Sequence, residues 1–162
     1  MAVDVIIEDA RWETLDLRQI ANQAFFETLL LLDLNHKSFV CCVLACDNKQ
    51  IKHLNNKFRG KNCSTNVLSF PTSLENYKVK STLKPTEANN PHELGDIAIA
   101  FEICEKEATE SKVKFEHHVY HLIIHSVLHL LGFDHEEEKN ASKMEKIEVQ
   151  VLAKLGINNP YL

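Results

Sequence analysis

At 162 residues, with 44% hydrophobic and 25% charged residues, the chain has the composition of one globular domain large enough to bury its own core. The net charge of −5 excludes a uniformly basic surface for nucleic acid and leaves room only for a local one. The longest apolar run, Leu29 to Leu32, is far too short to cross a bilayer, and Met1-Ala2-Val3-Asp4 is acidic where a leader would be basic. A cytoplasmic protein with no membrane partner is expected. Five cysteines, an odd number without a Cys-x-x-Cys pair, indicate neither a disulfide framework nor a cysteine metal site.

In chain order the pattern predicts an α+β fold. One domain spans 1–162, with a small mixed sheet of about four strands packed against helices. Val3 to Ile7 reads as the first strand. Leu15, Leu17, Ile20, Ala21, Ala24, Phe25, Leu29 and Leu32 recur at helical spacing, which predicts a helix over 14–32. Ser38 to Cys46 is apolar and rich in strand formers, and Asp47 is placed to cap a helix running through Lys57. Strands are expected at 67–70 and 96–101, and helices at about 101–111, 115–131 and 140–155. Asn140 is the expected N-cap of the last helix and Gly156 its stop. Residues 71–93 are polar, hold Pro71, Pro85 and Pro91, and read as a flexible surface loop that could wall a groove.

The chemistry concentrates in His125-Ser126-Val127-Leu128-His129-Leu130-Leu131-Gly132-Phe133-Asp134-His135. Histidines four apart share one helix face, so His125 and His129 can reach one point. Gly132 offers the left-handed conformation that ends a helix, and His135 follows within reach of the same point. Three imidazoles with an open fourth position suit a catalytic metal site, with zinc the expected ion. His117, His118 and His121 lie on the same helix, so spacing alone does not choose the ligands. The helix stop and third histidine favour His125, His129 and His135, leaving the others to a polar groove or to hydrogen bonds around the site. The arrangement looks metzincin-like, but Ser126 stands where a zinc protease carries its glutamate base.

The run from His125 to His135 resembles the signature of the YbeY endoribonucleases. Leu54-Asn55-Asn56-Lys57-Phe58-Arg59-Gly60-Lys61, followed by Thr65-Asn66-Val67-Leu68-Ser69-Phe70-Pro71, is similar to that family's second motif, and Leu94-Gly95-Asp96-Ile97-Ala98-Ile99 to its third. The blocks occur in the family order across most of 54–135. Two positions depart from the family pattern: Ser126 replaces a glycine, and Asn66 replaces an aspartate. Asn66 cannot ionise, so no acid–base role falls there.

The resemblance implies a metal-dependent, single-strand-specific endoribonuclease. It would act on ribosomal RNA and the ribosome, in maturation of the 16S rRNA 3′ end and in ribosome quality control. Arg59 matches the family's arginine, and its planar fork suits a phosphate. Lys57 and Lys61 would flank it as RNA contacts, in a local basic cluster with Lys52. Asp96 and His121 are candidates to orient a ligand histidine or to contact RNA. Two rivals stand beside this reading: a zinc peptidase with an unrecognised base, and a non-catalytic ribosome-assembly factor whose metal braces the fold.

Overall fold

Val3–Ile7 (β1), Phe39–Cys46 (β2), Val67–Pro71 (β3) and His92–Ala100 (β4) form one sheet in the order β1-β2-β4-β3. In this computed structural model, which describes residues 1–72 and 90–162, β1, β2 and β4 run parallel. β3 pairs antiparallel with β4, so the sheet is mixed, and it is the outermost strand among the described residues. Among the described residues five α-helices complete the α+β domain: Leu17–Leu31 (α1), Asn48–Arg59 (α2), Phe101–Glu110 (α3), Phe115–Leu130 (α4) and Glu138–Lys154 (α5). Among the described residues no helix is long and apolar enough to cross a membrane.

The sheet divides the apolar residues into two clusters. On one face Val3, Val5, Phe39, Val43, Ile97 and Ile99 pack with the buried stripes of α1, α4 and α5. On the other, Cys46, Leu68, Ala98 and Ala100 pack with Ile51 of α2. The α4 stripe is wide, with Val119, Ile123, Ile124, Val127, Leu128 and Leu130 all buried, so burial of an apolar surface about three turns long fixes which way its histidines face. Trp12 pins the junction. Its indole donates to the Cys46 carbonyl at 2.9 Å, and its ring stacks on Phe115 at the start of α4.

Local signals account for most boundaries. Asp47 accepts from the Gln50 amide at 2.8 Å and caps α2 as expected, and Gly60, at φ 68°, ends it. α2 therefore reaches Arg59, two residues beyond its expected end. The helix expected over 14–32 starts later: Ala10–Thr14 is a separate 3-10 turn, and Asp16 caps α1 by accepting from Gln19. β4 begins at His92, four residues early, because His92 and Glu93 pair with Phe39 and Val40 of β2. Asn140 is not the cap of the last helix. α5 begins at Glu138, and the Asn140 amide turns back to Asp134 at 3.4 Å. Gly156, at φ 74°, stands just past the end of α5, as expected. Of the expected 71–93 loop, Pro71 belongs to β3 and His92 and Glu93 to β4, while residues 73–89 lie outside the described residues.

Candidate metal centre and groove

α4 presents His118, His121, His125 and His129 along one stripe toward a groove of about 750 Å³. Its opposite wall is β3, through Val67, Ser69 and Pro71, with Arg59 at the rim. β3 can lie so close to β4 because residue 95 is glycine: at φ 136°, a Cβ there would sit 2.1 Å from the Phe70 carbonyl oxygen. Gly132, at φ 95°, ends α4, and the chain bends back so that Phe133 to His135 close one end of the groove.

There the potential ligand atoms of His125, His129 and His135 all lie within 4.8 Å of one another. The imidazoles of the first two are oriented from behind. His125 directs Nδ1 to Glu148 Oε1 at 2.5 Å, and His129 directs Nδ1 to the Phe133 carbonyl at 3.0 Å. With each Nδ1 donating, the neutral form of each ring turns an Nε2 lone pair toward the other, and the two Nε2 atoms lie 3.0 Å apart. Two bare lone pairs do not hydrogen-bond each other. They suit a shared cation, since tetrahedral nitrogen donors at zinc distances of about 2.0–2.1 Å sit roughly 3.3 Å apart. The donor set therefore fits a divalent metal, and His135 supplies a third, exposed imidazole.

The electrostatics point the same way. Burial, followed by the neighbouring His125 and His135, pushes the His129 pKa down to about 4, so this ring is neutral and able to ligate at pH 7. Glu148 is fully buried on α5. Burial alone would raise its pKa, but hydrogen bonds from His121, His125 and Tyr161 outweigh that and hold the carboxyl at about 2. His121 Nε2 lies 3.1 Å from Glu148 Oε2, and the Tyr161 hydroxyl also donates to that oxygen. An ionised carboxylate in the core is tolerable only when so satisfied.

Several expected site residues meet here and others do not. His121 lines the groove and touches the site through Glu148. His118 also lines it, 3.5 Å from Glu107, and burial keeps its pKa below the ordinary value. Arg59 reaches the groove from the end of α2, while Lys57 and Lys61 are exposed beside it and outside the lining. Asp96 does not orient a ligand. It is exposed and alternates with Ile97 and Ile99, which face α4, so its side chain points to the other side of the sheet. Its expected role belongs to Glu148. Ser126 is fully buried in α4, directed away from the groove. Asn66 lines the groove as a bracket: its Oδ1 accepts the Val67 amide at 2.7 Å and its Nδ2 donates to Glu107 at 3.2 Å, a bond an aspartate could not donate.

Glu148 and Tyr161 have no place in the sequence reading. A signal for Glu148 was present: it interrupts the buried α5 stripe of Met144, Ile147, Val151 and Leu152, where a lone carboxylate needs a partner. Nothing comparable marks Tyr161, and the Phe133 carbonyl is a backbone group that any residue supplies.

Known proteins share this architecture. The profile of the family described as Endoribonuclease YbeY matches residues 4–156. A relative named Endoribonuclease YbeY from Jannaschia sp. is 41% identical over 161 residues, covering 99% of this chain and all of that one. Another of that name, from Cereibacter sphaeroides, is 44% identical over 168 aligned residues, with 98% of each chain covered. The solution structure of a Thermotoga maritima protein superposes with a TM-score of 0.56 over 94% of this chain and 91% of its own, at 22% identity, and so shares the fold. The chain belongs to the Endoribonuclease YbeY family.

Proposed function

We propose that this protein is a zinc-dependent, single-strand-specific endoribonuclease that acts on ribosomal RNA, in maturation of the 16S rRNA 3′ end and in ribosome quality control. One observation carries the reading: two imidazoles locked by Glu148 and by the Phe133 carbonyl turn bare Nε2 atoms to one point beside His135, in a groove that Arg59 enters. The relatives' name, endoribonuclease, supplies the substrate class.

His125, His129 and His135 would hold the ion, and zinc is chosen for a three-imidazole donor set. A divalent ion there supplies Lewis-acid activation of water and of the phosphodiester. The remaining work belongs to the chain. Arg59 pairs with the phosphate and offsets charge that grows on its oxygens during cleavage. Single strands leave their bases and backbone free to enter a groove lined by side chains of α4 and β3, which favours a single-stranded substrate. Lys57 and Lys61 add a local positive rim to a chain of net charge −5, and so make the attraction for phosphate local. Ser126, buried where a zinc peptidase would carry its glutamate base, argues against peptide hydrolysis by that route.

The test is to strip the protein with a chelator, restore single divalent ions, and follow cleavage of single-stranded and duplex RNA alongside casein. Zinc-restored cutting of single-stranded RNA alone is the expected result. Cleavage of casein without RNA would replace the reading with a peptidase.

A further inference from the structure

Phe58 is the most exposed aromatic ring among the described residues, with 60% of its surface open to solvent. It is nevertheless held in place. Its ring meets that of Phe70 edge-on, with centroids 5.4 Å apart and planes 61° apart. Both partners adjoin the groove: Phe58 precedes Arg59, and Phe70 stands in β3 between Ser69 and Pro71, three residues that line it. Among the described residues β3 is the outermost strand, and a single strand of RNA leaving the groove past Arg59 over it would meet Phe58 on the Phe70 side of the sheet. The charge there suits a polyanion. Lys57 Nζ lies 5.3 Å from the Phe58 ring centroid, and Lys61 follows the Gly60 turn.

We infer that Phe58 is a stacking platform for a base of single-stranded RNA flanking the scissile phosphate, an inference that rests on the ribonuclease reading above. An aromatic face accepts any base, and the adjoining cations take the phosphates on either side of it. Cover for Phe70 is a weaker account of the same ring, since such cover buries apolar surface and this ring remains mostly in water.

The two accounts separate on ring chemistry. F58L keeps an apolar cover over Phe70 and removes the stack, whereas F58Y keeps both. With holoenzyme and a short single-stranded RNA, F58L should raise KM by roughly 5- to 100-fold with kcat unchanged, and F58Y should match the wild type. F58L should leave the salt dependence of KM unaltered, because no phosphate contact is lost. In F58W the new indole, read against the buried Trp12, should be quenched when RNA binds. Wild-type cleavage with an unchanged KM in F58L would overturn the platform and leave the ribonuclease reading standing. A wild type that neither binds nor cuts RNA would overturn both.

Discussion

Glu148 Oε1, in the middle of α5, lies 2.5 Å from Nδ1 of His125 in α4, 23 positions earlier in the chain. This contact favours one tautomer of a candidate metal ligand from inside the core, and makes α5 part of the candidate metal site although it adds no residue to the histidine cluster. Glu148→Gln keeps the shape but loses the charge that favours a donating Nδ1. Metal affinity should fall by roughly 10- to 100-fold, measured by competition with a coloured chelator. Unchanged affinity would mean that His125 is oriented by packing alone.

Tyr161 is the outer member of the same network. Its hydroxyl donates to Glu148 and lies 3.2 Å from His121 Nε2. Tyr161→Phe should lower stability by about 1 kcal/mol and weaken metal binding by less than Glu148→Gln does, since His121 and His125 still hold the carboxylate. Thermal melts and the same chelator titration would show both effects.

Arg59 enters the groove although it lies far in the chain from His125, His129 and His135. Arg59→Ala should slow RNA cleavage by roughly 100-fold while zinc content and melting temperature stay at wild-type values. Loss of metal in this variant would reassign Arg59 to structure.

His118 makes stability depend on pH. Burial, partly opposed by Glu107, lowers its pKa from 6.5, so the folded state binds fewer protons than the unfolded state just below that value. Its contribution is complete above pH 6.5 and is lost as pH falls toward the lowered folded pKa. His118→Gln should therefore flatten part of the decline in urea midpoint below pH 6.5. A parallel decline in both proteins would show that His118 does not contribute.

Gly95 tests the groove wall. Gly95→Ala should cost about 2 kcal/mol or more, because both the φ of 136° and the Phe70 carbonyl exclude a Cβ. Displacement of β3 should reduce cleavage in the fraction that still folds, measured after correction for folded content.

The parts legible in the sequence were those written locally. His125, His129, Gly132 and His135 lie within eleven residues, and helix spacing with one positive-φ glycine suffices to bring the rings together. Asp47 and Gly156 likewise mark their helix ends by side-chain and backbone chemistry alone. What was not legible depends on long-range packing. The face on which Asp96 falls follows from strand register, with an irregularity between Val40 and Cys42 of β2, and that register turned it away from the histidines. Its expected role passed to Glu148, which only the docking of α5 on α4 brings to His125. Asn140 has the chemistry of a cap, yet its amide is drawn to Asp134 and the helix starts earlier.

The proposal that His125, His129 and His135 hold the ion required for RNA cleavage is tested by elemental analysis of purified wild type and His129→Ala, with each sample then incubated with single-stranded ribosomal RNA. About one zinc per wild-type chain is expected, with joint loss of metal and cleavage in a mutant that remains folded. A wild type that cuts RNA without bound metal, or a His129→Ala protein that keeps both metal and activity, would contradict it.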